Sequence, residues 1–399
     1  MNKPLELDET KLQPAIVSLV AEELAAMRQT DMTDFASTEW HGETVIGGDQ
    51  LRVDSIELVS LATSCAERFG LEELGAGDYL LRYRRIVDWA DLAATGIRQS
   101  GMVTFRTSGT TGPAKAVQHR LGDLEQEIRV LAELMGDARR IVSLVPAHHI
   151  YGFMFTVLLP THLGIPVNHR GHPSGMPPAD LGSGDWLIGF PLRWRQIIRL
   201  GRPLPPGVSA VTSTAPCPAD LISATHDLGL DTMLAVYGAT ETAGVGYRFD
   251  PEGPYTLFPY WRPEDNALRR TCDSGEELTI EAEDELVFDD YCHFWPNGRR
   301  DGVVQVAGCN IHPAEVASRL VEHPLVAQCS IQLDHSNGEP RLSATVVPVD
   351  DADRATLESE LRHWAQRTLA SAEQPARWHF VEALATTATG KPRGWTASA

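Results

Sequence analysis

Cysteine is rare in this sequence, and long apolar segments are missing from it. Its 399 residues include six cysteines, none of which stands in a C-x-x-C pair or at the spacing of metal ligands. No hydrophobic run approaches the ~20 residues that a membrane-spanning helix needs. The first residues lack the basic start and the apolar stretch of a signal peptide. We therefore expect reduced thiols, a cytoplasmic location and no membrane as a partner.

Positive charge is also in short supply. The chain has 34 Lys and Arg residues against 54 Asp and Glu residues, which gives a net charge of −20. This excess of negative charge argues against nucleic acid as a partner, because a phosphate backbone attracts basic surfaces. Residues 1–100 contain 18 acidic and 9 basic side chains. An acidic front is typical of a solvated surface, and also of carrier proteins that bind basic enzymes.

The hydrophobic pattern divides the chain into three predicted domains. Residues 1–95 show apolar side chains at helical spacing, and residues 96–101 are predicted to form a linker. From residue 102 short β-runs alternate with helices, which predicts an α/β domain with a mainly parallel sheet over residues 101–297. A smaller α+β domain is predicted for residues 298–399. The expected sheet strands are 102–107, 141–145, 186–190, 210–212 and 233–236.

A loop rich in hydroxyl groups and glycines follows the first predicted strand. Its residues offer backbone N–H groups, O–H donors and one positive charge to a polyanion, and the glycines allow a phosphate to approach closely. The order of residues differs from that of a Walker loop. The loop therefore predicts a phosphate-binding site of another type, formed by Thr107, Ser108, Gly109, Thr110, Thr111, Gly112, Pro113, Ala114 and Lys115.

This loop and five further motifs resemble those of the adenylate-forming superfamily, and they occur in the family's order. That superfamily comprises the acyl- and aryl-CoA ligases, the luciferases and the adenylation domains of peptide synthetases. The resemblance covers residues 102–394 and implies ATP and Mg²⁺ as cofactors, a core domain and a C-terminal lid. The further motifs read PAHHIYG at 146–152, YGATE at 237–241, GRRD at 298–301, GCNIHPAE at 308–315 and TGK at 389–391.

The resemblance assigns roles within the core. His149 matches the position that borders the acyl pocket. Tyr237 and Gly238 match the segment that binds adenine, and Thr240 and Glu241 match the residues that hold the α-phosphate and magnesium. Counting back from the GRRD motif by the family's interval places Asp284 at the aspartate that holds the ribose hydroxyls.

The resemblance also assigns roles within the C-terminal lid. Arg299 contacts the ribose, and Asp301 is the hinge between two lid orientations, one for each half-reaction. Gly308 and Asn310 belong to the tunnel for the thiol acceptor, and Lys391 is the lysine of the adenylation step.

Two departures from the family stand out. The chain ahead of the phosphate loop is much shorter than usual, so the core is predicted to be truncated. Gln305 also occupies the place of a lysine between the hinge and the tunnel, which predicts weaker nucleotide contacts.

The chemistry of adenylation fits these side chains independently. A carboxylate that attacks the α-phosphorus meets charge repulsion, which a metal ion and cationic donors must offset. Thr240 and Glu241 can hold metal and phosphate, and Lys391 can bridge carboxylate and phosphate as charge shifts. His148 and His149 resemble a pair of metal ligands, but no third ligand is spaced nearby in the sequence.

The N-terminal region contains a second resemblance. Asp54, Ser55 and Ile56 open a predicted helix, with further helices on either side, as in an acyl carrier protein that bears phosphopantetheine on this serine. A helix N-terminus favours the anionic phosphodiester. The alternative is a plain N-capping serine. Carriers usually have glycine at the position of Arg52.

We therefore predict an AMP-forming ligase that activates a carboxylic acid and passes the acyl group to a phosphopantetheine thiol. Three acceptors are open: a phosphopantetheine thiol linked to Ser55 of the same chain, the thiol of a separate carrier protein, or CoA. Because residues 146–159 contain no aspartate to pair with an ammonium group, an aryl or fatty acid is favoured over an amino acid. Tyr151, Phe153 and Phe155 suit an apolar pocket, or else the core. The alternative function is a catalytically weak carrier or scaffold module in secondary metabolism.

Overall fold

The computed structural model of the protein describes residues 5–30, 40–107, 115–169, 177–265, 267–300, 302–307, 309–334, 340–349, 354–382 and 384. Two compact units divide these residues. The first contains the described parts of 5–107, 115–282 and 286–295, and the second contains 283–285 and the described residues from 296 onward.

Helices form the beginning of the first unit. Asp8 caps the first helix by accepting a hydrogen bond from the N–H of Lys11, and Asp54 caps the second in a capping box with Glu57. The indole of Trp89 is fully buried. The helices are α1 (Glu9–Arg28), α2 (Ser55–Arg68), α3 (Gly77–Arg82) and α4 (Ile86–Ser100).

Residues 96–100 correct one prediction. They form the last turn of α4 rather than a linker. Gly96 explains the difference, since a Cβ atom there would lie 2.1 Å from the carbonyl oxygen of Phe69. This glycine allows two chain segments to pack closely, and so it marks a contact instead of a flexible joint. The predicted domain boundaries themselves stay predictions.

A hairpin and a nine-stranded sheet follow the helices. The hairpin pairs β1 (Met102–Arg106) with β2 (Ala116–Arg120). Strands β3 to β7 pair with one another in parallel, whereas β8 pairs antiparallel with both β7 and β9. The sheet strands are β3 (Arg140–Ser143), β4 (Val167–His169), β5 (Asp185–Gly189), β6 (Ser209–Thr212), β7 (Thr232–Ala239), β8 (Ala243–Arg248) and β9 (Tyr255–Leu257).

The chain after β9 adds a smaller sheet and two further strands of the large sheet. The smaller antiparallel sheet contains β10 (Trp261–Glu264), β11 (Ala267–Thr271) and β12 (Glu277–Glu281). With β13 (Asp284–Phe288) and β14 (His293–Arg299), the order across the large sheet is β13-β14-β9-β8-β7-β6-β5-β3-β4.

Helices cover both faces of the parallel strands. On one face Ile141 and Ile188 belong to a hydrophobic core that also includes the buried side chains of α1, α2 and α4. On the other face Val142 and Leu187 pack in a second core with Trp194. Strands β5 and β6 are buried along their whole length, as is usual for parallel sheets. The covering helices are α5 (Leu121–Met135), α6 (Ile150–Phe153), a π-helical turn (Met154–Leu158), α7 (Leu159–Leu163), α8 (Pro191–Leu200) and α9 (Ala219–Asp227).

The second unit is an α+β structure with its own hydrophobic core. Strand β17 (Val326–Asp334) pairs antiparallel with β18 (Arg341–Pro348), and β18 pairs parallel with β19 (Arg377–Phe380). The other elements are β15 (Val304–Val306), β16 (Cys309–Ile311), α10 (Pro313–Val321), α11 (Arg354–Thr368) and a 3-10 turn (Ser371–Glu373).

The predicted fold class is confirmed: an α/β core and an α+β C-terminal domain. The large sheet is parallel only from β3 to β7, however, and the expected sheet strand 102–107 lies in the separate β1–β2 hairpin. The antiparallel strands β8 to β14 were not predicted. In the part of the chain that the structure describes, no helix combines the length and the apolar character required to cross a membrane.

Candidate active site

Predicted site residues follow the carboxyl ends of two parallel strands: His149 comes after β3, and Thr240 and Glu241 come after β7. Ligands of α/β proteins bind at this edge of the sheet. The hydroxyl of Tyr151 lies 2.8 Å from the carbonyl oxygen of Gly189 and 3.0 Å from that of Val211, and so it ties the segment after β3 to the ends of β5 and β6. Burial raises the pKa of Tyr151 well above its ordinary value, so the phenol stays a neutral donor. Phe153 and Phe155 are each 1% exposed and belong to the core.

The phosphate loop is closed at its base by two hydrogen bonds. The N–H of Thr107 donates to the carbonyl of Lys115 (3.0 Å), and the N–H of Lys115 donates to the hydroxyl of Thr107 (3.1 Å). These bonds hold Thr107 and Lys115 together at the two ends of the loop, and the Lys115 side chain is exposed. The predicted residues Ser108, Gly109, Thr110, Thr111 and Gly112 lie outside the described residues.

The tight turn between β7 and β8 carries Thr240 and Glu241, both of which are half-buried. Gly238 is required at its base, because a Cβ atom there would lie 2.1 Å from the carbonyl oxygen of Ala243. The hydroxyl of Thr242 accepts a hydrogen bond from the N–H of Ala239 (3.1 Å) and donates to the carbonyl of Ala243 (2.9 Å). Thr240 and Glu241, the predicted ligands of phosphate and metal, therefore lie in a rigid turn.

Tyr237 lies within an aromatic cluster beside this turn. Its ring centroid is 5.7 Å from that of Tyr255 and 5.4 Å from that of Phe294. Tyr237 itself is half-buried. An aromatic ring held in this way suits the predicted contact with a flat adenine base.

His119 joins the phosphate-loop hairpin to the β7–β8 turn. Its Nε2 lies 2.7 Å from the carbonyl oxygen of Thr240. A carbonyl only accepts, so Nε2 carries the proton. Burial lowers the pKa of His119, which keeps the ring neutral. His119 thus links strand β2 to the backbone of Thr240, a contact that sequence reasoning missed; the signal was its inward position on β2, four residues after Lys115.

A buried polar network supports the same turn from behind. Glu127 accepts a hydrogen bond from the N–H of Gly244 (2.9 Å), and Arg270 donates to the carbonyls of Thr242 (3.3 Å) and Asp123 (2.7 Å). Burial raises the pKa of Glu127, although Arg270 opposes the shift. No sequence motif indicated Glu127 or Arg270, because they are separated by more than 140 residues along the chain.

The segment with His148 and His149 contacts the N-terminal helices. The carboxylate of Glu22 lies 3.0 Å from Nε2 of His148 and 2.8 Å from Nε2 of His149. The structure therefore adds a third potential metal ligand that the sequence spacing did not reveal, and ligand atoms of all three residues lie within 4.8 Å of one another. Burial, reinforced by His149, lowers the pKa of His148 to about 3. Burial raises the pKa of Glu22, but hydrogen bonds from both histidines outweigh it and hold that pKa well below its usual range.

Because His148 is neutral and buried, we expect the free energy of unfolding to fall more steeply with decreasing pH in wild type than in the variant His148→Gln. Below about pH 6.5 the unfolded chain protonates His148, whereas the folded protein keeps it neutral down to about pH 3. The unfolded state then binds the extra proton, so the free energy of unfolding falls with the pH by up to ~1.4 kcal/mol per unit for one group. Urea denaturation at pH 7, 6 and 5 measures this slope. The exposed His162 provides the control variant His162→Gln, which should keep the wild-type slope; equal slopes in all three proteins would contradict the prediction.

The remaining predicted residues belong to the second unit or to the N-terminal helices. Asp284 begins β13 and Arg299 ends β14. Gln305 and Asn310 face each other in the β15–β16 hairpin. Ser55 is exposed at the start of α2. Asp301, Gly308 and Lys391 lie outside the described residues.

Comparison with known proteins identifies the family. The family model described as AMP-binding enzyme matches residues 102–272, and the model described as AMP-binding enzyme C-terminal domain matches residues 315–391. The chain is 33% identical over 380 residues to a 4-coumarate–CoA ligase of Halorhodospira halophila, covering 94% of this chain and 96% of that protein. It is 35% identical over 362 residues to a 4-coumarate–CoA ligase of Cereibacter sphaeroides, covering 88% and 86%.

A solved structure shares the fold. An o-succinylbenzoate CoA synthetase from Bacillus subtilis superposes with a TM-score of 0.55 at 19% identity, covering 73% of this chain and 67% of that one. The chain therefore belongs to the AMP-binding enzyme family, the adenylate-forming superfamily predicted from its motifs. Within that family it is an AMP-forming acid–thiol ligase, as predicted. Since the match to the H. halophila protein covers 94% of the chain, it includes most of the first 95 residues.

Proposed function

We propose that the protein activates an aromatic carboxylic acid of the hydroxycinnamate type with ATP and transfers the acyl group to CoA. The similarity to two 4-coumarate–CoA ligases, over most of the chain and at nearly equal length, supports this proposal most directly. Of the two acid types predicted from the sequence, aryl and fatty acids, this similarity favours the aryl acid. The expected cytoplasmic location and the link to secondary metabolism stay predictions.

The first half-reaction joins the carboxylate to the α-phosphate of ATP. Backbone N–H groups and hydroxyls of residues 107–115 would bind the phosphates, and Tyr237 would contact the adenine. Glu241, an oxygen ligand of the type that Mg²⁺ prefers, would hold that ion beside Thr240, and the bound ion would neutralise charge on the phosphates. The rigid β7–β8 turn supports this assignment, because a preorganised site stabilises developing charge at little cost. Lys391 would bridge carboxylate and phosphate.

The second half-reaction transfers the acyl group to a thiol. The thiolate attacks the acyl carbon of the adenylate, AMP departs as the leaving group, and the product is a thioester. The family resemblance assigns Asn310 and Gly308 to the path of the thiol, Asp284 and Arg299 to the ribose, and Asp301 to the hinge. The hairpin pairing of Gln305 with Asn310 gives this segment a defined backbone.

The test is a pyrophosphate-release assay with ATP, Mg²⁺ and a panel of cinnamates, benzoates and short fatty acids. We expect release with 4-coumarate or a close relative, and formation of the matching CoA thioester once CoA is added. Release with fatty acids alone would overturn the choice of an aryl acid. No release with any acid would favour the scaffold alternative.

A second candidate acceptor is phosphopantetheine on Ser55. One observation favours it: Ser55 is exposed at the N-terminus of α2, beside Ile56 and Val59, which are 75% and 51% exposed. Apolar side chains around the attachment site are what a partner enzyme would recognise. A tethered thiol would also reach an effective concentration on the order of millimolar.

The Ser55 candidate predicts a covalent mass change. Incubation with a phosphopantetheinyl transferase and CoA is expected to add about 340 Da, the mass of the group itself, and Ser55→Ala should abolish the addition. Ser60→Ala on the same helix is the matched control and should leave it intact. Intact-protein mass spectrometry measures both. No mass increment under conditions that modify a known carrier would exclude Ser55 and leave CoA as the acceptor.

A further inference from the structure

Side chains of the N-terminal helices hold the segment that carries His148 and His149. Glu22 of α1 contacts both rings through one carboxylate oxygen. Ser18, one turn earlier, lies 3.1 Å from the backbone nitrogen of His148 and 2.9 Å from its Nδ1. Arg68, at the end of α2, donates a hydrogen bond to the carbonyl of His148. Helices that precede the phosphate loop therefore fix both the backbone and the rings of this segment.

The chemistry of the groups determines where the protons are. The ionised Glu22 only accepts, so Nε2 of each histidine must donate to it. His148 is neutral, and so its Nδ1 carries no proton and accepts from the hydroxyl of Ser18. Within the described part of the chain, Glu22 is the hydrogen-bond partner of the His149 ring, bound through Nε2. Among the same described residues, Nδ1 of His149 has no hydrogen-bond partner and can bind a ligand.

The two histidines differ in exposure. The side chain of His148 is 1% exposed, whereas that of His149 is 39% exposed. The ring centroids lie 4.2 Å apart. His148 is therefore part of the packed interior, and His149 is accessible to a small molecule. Without the hydrogen bond to Glu22, the accessible ring of His149 would gain rotational freedom about its side-chain bonds.

We propose that Glu22 is a positioning residue for acid binding: its carboxylate fixes the orientation of the His149 ring, which the family resemblance assigns to the border of the acyl pocket. This inference rests on the proposed function. It also gives the residues ahead of the phosphate loop a definite function, because Ser18, Glu22 and Arg68 all come from that region. The groups that face the histidine pair are Glu22, Ser18 and Arg68, with Glu23 adding negative charge near Arg68.

Steady-state kinetics of Glu22→Gln test the proposal. We expect the KM for the acid to rise about tenfold, because the amide of glutamine offers the histidine a neutral and weaker acceptor than the carboxylate. The KM values for ATP and CoA should stay within about twofold, because the carboxylate acts through the acid-binding histidine. Glu9→Gln, thirteen residues earlier on the same helix, is the matched control and should resemble wild type. A uniform fall in kcat with unchanged KM values would overturn the proposal.

A double-mutant cycle separates positioning from general support of the fold. Glu22→Ala should lower kcat/KM for the acid about tenfold or more in wild type, and less than about threefold in a His149→Ala background. Groups that act through one another are non-additive in this way. Equal losses in both backgrounds would show that Glu22 acts independently of His149.

A spectroscopic measurement tests the geometry without turnover. In protein labelled with ¹⁵N histidine, we expect both rings to show a protonated Nε2 at pH 7, and Glu22→Gln to change the His149 signals, assigned with His149→Gln. This readout stays valid if no acid yields pyrophosphate, so failure of the proposed function is distinguishable from failure of this inference.

Two histidines and a carboxylate also suit Zn²⁺. One equivalent of zinc in the purified protein, with Nε2 unprotonated in both rings, would replace the hydrogen-bonded arrangement and overturn the inference.

Discussion

Lys391→Ala is expected to lower the rate of acyl-adenylate formation by about 10²-fold or more, the scale of losing a preorganised charged donor. The attacking carboxylate and the α-phosphate are both anionic, and the family assigns this lysine to the bridge between them. The sequence supports the assignment through the TGK motif at 389–391. Pyrophosphate release under single-turnover conditions measures the loss.

The same variant should still make thioester from preformed acyl-adenylate, because the second half-reaction requires no bridge between carboxylate and phosphate. Lys11, with an exposed side chain in the first turn of α1, provides the matched control Lys11→Ala, which should keep both rates. Wild-type adenylation by Lys391→Ala would show that the C-terminal motif was assigned wrongly. An equal loss of both half-reactions would point to damage to the fold.

Gly238→Ala is expected to lower adenylation by about 10²-fold, because misplacing reacting groups by about 1 Å has an effect of that size. The added Cβ atom would lie 2.1 Å from the carbonyl oxygen of Ala243 and 3.0 Å from the Cα of Gly244. Both neighbours are backbone atoms, so the hairpin must open to make room. Thr240 and Glu241 lie in the turn that would move.

The matched control is Gly182→Ala, where a Cβ atom meets nothing within 4 Å. It should keep wild-type activity and thermal stability. Rates are measured by pyrophosphate release, together with the melting temperature of each variant. A Gly238→Ala enzyme with wild-type rates would show that the turn tolerates displacement, and would remove the argument that its rigidity serves catalysis.

Local sequence patterns predicted the parts of the site that depend on short segments. The phosphate loop, the YGATE turn and the central parallel strands all carry their signal in consecutive residues, because turns need glycine and buried parallel strands need apolar runs. Gly96 shows the limit of this reasoning. Glycine near a helix end suggested a linker, whereas the structure uses it for close packing against Phe69.

The contacts that connect these segments could not be read from the sequence. Glu22 and His149 are separated by 127 residues, and His119 and Thr240 by 121. Neither Glu22 nor His119 stands in a motif, and a lone carboxylate or imidazole is chemically indistinguishable from one on a solvated surface. Only folding, which places α1 beside the segment after β3 and β2 beside the β7–β8 turn, decides their partners.

The sequence by itself determined the family, the class of reaction and the order of the motifs, since these depend on residue types at short spacing. The tertiary structure alone decided that the acidic N-terminal helices share a hydrophobic core with the parallel sheet. It also decided that Ser18, Glu22 and Arg68 hold the histidine segment. The physical reason is that hydrogen bonds and ion pairs depend on distances in space, and packing of the apolar faces sets those distances.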